Sequence, residues 1–184
     1  MKSAKGFTLI ELVIVIVILG ILSVTAAPRF LNLQDDARAS VMKGVKASLQ
    51  TVIDGVYFKS VIQGTDGERK TDTDVNGILI RTYYGYPHEI WDDKLEHLMD
   101  NSFSYLGNAY NNNSLFDTTC TEAVCVIDQI QLSRLLSIST TAYALAFLPR
   151  GHSLRTKCAV VYYFVVNDVE KYSDVHIEVI DSGC

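Results

Sequence analysis

Glu11 is the only charged residue in the run 7–27, FTLIELVIVIVILGILSVTAA. A carboxylate at the centre of a bilayer-length helix costs on the order of 2.5–3.5 kcal/mol, so its presence calls for a named cationic partner. Four cysteines, Cys120, Cys125, Cys158 and Cys184, can form disulfides in three connectivities. The Cys-x4-Cys spacing of the first two also invites a zinc reading, but no Cys-x2-Cys or His pair accompanies it. Asp72, Asp74, Asn76 and Gly77 match the opening D-x-D-x-N-G of a calcium loop. The twelfth position, where a bidentate Glu belongs, is Tyr83. A solvated acidic turn is the plainer reading, and no other cofactor is expected. Arg150, His152, Arg155 and Lys157 make a basic turn that could meet DNA phosphates or simply form a solvated edge. Tyr83, Tyr84, Tyr86 and Trp91 could stack on sugar rings, although in a sheet protein such residues are mostly core. No Ser/His/Asp, Cys/His or paired-carboxylate arrangement and no Gly-rich phosphate loop is placed together by the sequence, so no enzyme is expected.

The elements that carry these residues follow from the hydropathy pattern. The chain has 184 residues, is 48% hydrophobic and carries a net charge of −5. This suits one domain with an appended element, excludes wholesale disorder, and disfavours a dedicated nucleic-acid binder. At about 1.5 Å per residue the run 7–27 is about 31 Å long, enough to cross a hydrocarbon core of about 30 Å. Lys2 and Lys5 precede it and would keep the N-terminus cytoplasmic. A secretory signal would be cleaved behind the run, where 23–27 offers small residues, but neither that reading nor a plain anchor explains Glu11. Past Pro28, apolar residues recur at Phe30, Leu33, Ala37, Val41, Val45, Leu49, Val52 and Val56, one stripe of a helix. A single helix is therefore predicted from 7 to about 58, apolar all round first and on one face later. A kink is expected at Pro28.

Beyond it, 64–77 reads as a polar loop, 78–84 as a strand, 89–99 as a short helix and 101–119 as irregular. Strand signals return at 142–148, 158–166 and 175–180, with a hairpin connection over 149–156, whereas 128–137 fits strand or helix. The predicted class is α+β: an antiparallel sheet laid on the amphipathic half of the long helix.

Lys5-Gly6-Phe7-Thr8-Leu9-Ile10-Glu11 resembles the processing motif of type IV prepilins and pseudopilins. The resemblance implies the type IV pilin fold and a leader, 1–6, removed by a prepilin peptidase between Gly6 and Phe7, with N-methylation of Phe7. Glu11 is then fifth in the mature chain, and Gly20 and Pro28 match a family glycine and proline, between which the resemblance implies unwinding of the helix in a filament. The freed Phe7 amine of one subunit can meet Glu11 of its neighbour, a pair better suited to setting register than to net attraction. The remaining divisions are 7–28 as membrane and filament-core segment, 29–58 as amphipathic helix and 59–184 as head. Cys158–Cys184 matches the family habit of a bridge bounding the C-terminal region; Cys120–Cys125 is paired on proximity alone. The stretch 27–38, APRFLNLQDDAR, is similar to mannose-sensitive haemagglutinin (MSHA) type pilins of aquatic Gram-negative bacteria. The implied product is an extracellular adhesion and biofilm filament, reached from an inner-membrane precursor. Its implied partners are identical or homologous pilin subunits, the inner-membrane assembly machinery, and surface glycans or chitin, with DNA not expected. A minor pilin, a type II secretion pseudopilin or a DNA- or glycan-binding pilus component is the alternative.

Overall fold

The computed structural model describes residues 7–99, 102–136 and 142–184, without the side chains of 26–35. The expected leader, 1–6, lies outside the described residues. Helix α1 spans Leu9–Gln63, so it starts slightly later and ends later than predicted, and it runs through Gly20 and Pro28. The chain divides into two compact units, Met1–Ala37 and Arg38–Cys184.

In the first unit the helix is bare. Its large apolar side chains from Phe7 to Val24 range from 42% exposed at Val13 to 84% at Phe7. Among the described residues no helix is long and apolar enough to cross a membrane. The predicted span 7–28 continues past Thr25 into positions whose side chains are not described.

In the second unit α1 contributes Met42, Val45, Leu49, Ile53 and Val56 to the core. The predicted stripe is therefore displaced by one residue at two places. Val41 is half exposed while Met42 is fully buried, and Ile53 replaces Val52 as the fully buried residue of its turn. Both pairs are apolar, so periodicity cannot choose between them; alignment with Leu49 against the sheet does.

That sheet contains β4 (Ser104–Asn108), β5 (Val124–Gln131), β6 (Tyr143–Pro149), β7 (Ala159–Asn167) and β8 (Tyr172–Ile180), in that spatial order. It is not wholly antiparallel, because β4 pairs parallel to β5. Strand β4 and a short 3-10 turn, Asn113–Phe116, also lie in the stretch predicted to be irregular. The undecided stretch 128–137 is both things in turn: β5 ends at Gln131 and one helical turn, α2 (Leu132–Leu135), follows.

Both faces of the sheet are covered. Val126, Leu145, Phe147, Val160 and Tyr162 pack on α1 and on Trp91 and Leu95. Ile127, Ala144, Ala146, Leu148 and Val161 pack on the other side against Leu115, Phe116, Leu132 and Leu154. Near-continuous burial along β5 and β6 follows, and so does their apolar run in place of strict alternation.

A second sheet joins β1 (Thr71–Val75), β2 (Ile78–Tyr83) and β3 (Tyr86–Pro87). β1 lies inside the predicted 64–77 loop. Its polar letters hide an alternation in which Thr73 and Val75 face inward, and the buried hydroxyls of Thr73 and Thr82 bond at 3.1 Å. Asn76 and Gly77, at φ 55° and 87°, make the two-residue turn that hairpin twist demands. The predicted 89–99 helix is reduced to a 3-10 turn, Leu95–Leu98.

Candidate functional site

The first turn of α1 holds the chemistry of the N-terminal segment. Glu11 Oε2 accepts hydrogen bonds from the Thr8 backbone N–H at 2.9 Å and the Thr8 hydroxyl at 2.7 Å. In return the Glu11 N–H donates to Thr8 Oγ1 at 3.4 Å. This is a capping box: two N–H groups that the helix leaves unpaired are satisfied reciprocally, and a carboxylate sits at the positive end of the helix dipole. Glu11 thus has a partner within its own chain. A cation from another chain would meet a carboxylate whose Oε2 is already held by Thr8, not an orphaned charge. The T-x-x-E pattern of Thr8 and Glu11 ahead of an apolar run is the local signal for this cap. Phe7 is 84% exposed beside this cap, and a Cβ built on Gly20 meets nothing within 4 Å. Gly6, the other half of the expected cleavage site, lies outside the described residues, as does the side chain of Pro28.

The four cysteines are all bonded, Cys120 to Cys125 and Cys158 to Cys184. The second bond fastens the C-terminus beside the start of β7. Gly183 N–H donates to the Lys157 carbonyl at 3.1 Å, and a Cβ on Gly183 would lie 1.7 Å from the Thr156 carbonyl oxygen. Only glycine allows that approach.

The remaining sequence candidates are dispersed. Asp72 faces Arg81 across the β1–β2 ladder at 3.4 Å, and Asp74 Oδ1 accepts the Gly77 N–H at 2.7 Å. Asp72, Asp74 and Asn76 therefore belong to a hairpin, and no group of three metal-ligating side chains occurs among the described residues. In the basic turn Arg155 is paired with Asp117, and buried His152 meets Thr156 Oγ1 through Nδ1 at 3.1 Å. Arg150 and Lys157 are exposed. Of the aromatic residues, Trp91 and Tyr84 are core, and Tyr86 stacks on Tyr57 of α1 at 4.5 Å. Tyr83 is half-buried.

One arrangement had no sequence signal at all. A bulge in β5 inserts a residue between Ile127 and Ile130 and puts Gln129 at φ 49°. Asp128 is thereby fully buried, where it accepts the Trp91 N–H and the Tyr105 hydroxyl, each at 2.9 Å. Burial, the dominant cause, raises its carboxyl to about 6 against those hydrogen bonds. Glu89 is buried too, and burial with the neighbouring Asp128 charge pushes it up to about 7. Trp91 and Asp128 are distant in sequence, so only the fold joins them.

Comparison with known proteins finds a family motif at the N-terminus. Residues 1–27 match the prokaryotic N-terminal methylation motif. The chain is 52% identical over 48 residues to the type IV narrow pilus major component PilA5 of Thermus thermophilus, covering 26% of this chain and 41% of that protein. It is 35% identical over 77 residues to type II secretion system core protein G of Pseudomonas aeruginosa, covering 39% and 54%. Against the type IV major alpha-pilin of Moraxella bovis it is 33% identical over 78 residues, covering 42% and 49%. No solved structure matches. The chain spans about half the length of the curated relatives it matches. It carries the methylation motif over residues 1–27, and it is similar to type IV pilins and to a type II secretion core protein.

Proposed function

We propose that this chain is a structural, non-enzymatic subunit of a type IV pilus of the MSHA kind. After leader removal between Gly6 and Phe7 and methylation of Phe7, it polymerises through its N-terminal helix. The product is an extracellular filament for surface adhesion and biofilm formation. The observation that carries this reading is the bare apolar helix ahead of the head. Exposed side chains from Leu9 to Val24 demand lipid before assembly and other helices after it. Identical helices meet that demand at a register set by Glu11, whose cap on Thr8 can be exchanged for the Phe7 amine of a neighbouring subunit. The membrane-crossing precursor, the prepilin peptidase, the assembly machinery and the glycan or chitin target belong to the same proposal.

Mass spectrometry of fibres sheared from cells tests it. A mature chain beginning at methylated Phe7 and forming the bulk of the fibre is expected; a chain starting elsewhere refutes it. A second reading, a minor pilin or type II secretion pseudopilin, is favoured by the likeness to core protein G. It predicts the same terminus with the chain present only in traces.

A further inference from the structure

Beside the buried carboxylates the head contains a cleft of about 250 Å³. It lies where β6 begins and β7 ends, with the segment after β2 across it. Tyr83, Tyr143 and Phe164 line it together with His88 and Glu89, and Tyr83 is stacked on His88 with 5.2 Å between ring centroids. The Glu89 side chain is only 8% exposed, so this is a buried carboxylate presented to a cavity and not a surface acid. Among the described residues the one basic group within ion-pair distance is His88, whose Nε2 lies 3.4 Å from Glu89 Oε2. Burial keeps that imidazole neutral near pH 7 by lowering it to about 4. Among the described residues an ionised Glu89 therefore has no cation within ion-pair distance.

Three of the lining residues are aromatic. Aromatic faces carry the negative lobe of the ring quadrupole, and a cation within about 6 Å of a centroid is attracted. Tyr83 shows this already, since Lys70 Nζ sits 5.6 Å from its ring centroid, although Lys70 does not line the cleft. Aromatic walls would suit a sugar or an ammonium ion alike. The uncompensated carboxylate decides between them, because a neutral ring leaves the buried charge unbalanced whereas a cation removes that cost. An anion would face the Glu89 carboxylate, the one charged side chain that lines the cleft among the described residues.

We propose that the Tyr83–Glu89–Tyr143–Phe164 cleft of the head binds an organic ammonium group, with Glu89 as its counter-ion and the aromatic rings as its walls. The site lies wholly within the unit Arg38–Cys184. Its volume admits a quaternary ammonium head or a protonated amino sugar.

The test is calorimetry on the full-length chain in a polyoxyethylene detergent at pH 7, where the amine of glucosamine still mostly carries its proton. Choline and glucosamine hydrochloride are the two ammonium probes, and glucose is the neutral control. Saturable binding of either ammonium probe without binding of glucose is expected, and the stronger of the two identifies the source. Glu89→Gln should weaken that binding about tenfold or more while Trp91 emission shows the head still folded. Tyr143→Phe, which keeps the ring, should retain it. Equal binding of glucose and glucosamine, or affinity unchanged in Glu89→Gln, overturns the proposal. Absence of saturable binding by both ammonium probes overturns it as well.

Discussion

Replacing Glu89 by glutamine should make the head more stable at high pH and leave it unchanged in acid. The side chain is nearly fully buried, and its carboxyl rises from an ordinary 4.5 to about 7 because burial penalises the charge and Asp128 adds to it. The folded chain therefore holds this proton more tightly than the unfolded chain. The resulting stabilisation is complete below about pH 4.5 and is lost as pH climbs through about 7. At about 1.4 kcal/mol per pH unit, the loss is about 3 kcal/mol. Asp128 acts in the same direction between 3.8 and about 6. His88 opposes both: its contribution is present above 6.5 and is lost as pH falls towards about 4. Between pH 4.5 and 6.5 the opposing effects offset each other, so the wild-type profile alone is a poor probe. The difference between the variant and wild type isolates Glu89. Urea unfolding of the full-length chain in detergent, followed by emission from Trp91, reports the head because this is the only tryptophan and it is 3% exposed. Glu89→Gln should exceed wild type by about 3 kcal/mol at pH 8 and match it within about 0.5 kcal/mol at pH 4. A gap that does not change with pH, or a variant weaker than wild type at pH 8, refutes the reasoning.

Other perturbations probe other links. Glu11→Ala should leave membrane insertion intact and reduce filament yield, measured as sheared fibre against total subunit; a normal yield removes Glu11 from assembly. Thr8→Val removes one side of the cap and should cost the first helical turn about 1 kcal/mol, visible as faster amide exchange at 9–12. Replacing Cys158 and Cys184 by serine opens a loop with a sequence separation of 26 and should cost about 3.5 kcal/mol in urea, against about 2 kcal/mol for the Cys120–Cys125 pair. Gly183→Ala drives a methyl group into the Thr156 carbonyl and should lower stability by about 1–3 kcal/mol, with enhanced proteolysis of the C-terminus as the readout.

The long helix was readable in the sequence because its evidence is local. An apolar run with one acid and a stripe at steps of three and four need no distant partner to be recognised, and α1 spans Leu9–Gln63. β7 and β8 were readable for the same reason, each being rich in branched and aromatic residues. The T-x-x-E pattern at Thr8 and Glu11 was equally local, and it predicts the cap once it is looked for. What the residues left open was decided by pairing across long separations. β1 reads as loop because Thr and Asp alternate in it, and it becomes a strand only against β2. β4 is drawn out of an Asn- and Ser-rich stretch by its parallel contact with β5. Met42 rather than Val41 turns inward because the sheet lies on that side. The buried Asp128 depends on a bulge, on a backbone N–H from Trp91 and on a hydroxyl from Tyr105, none of them near it in sequence. Local spacing sets helices and caps, since their partners are three or four residues away. Strand edges, bulges and buried charges take their partners from wherever the fold brings them, and for that reason only the tertiary structure could place the cleft at Glu89.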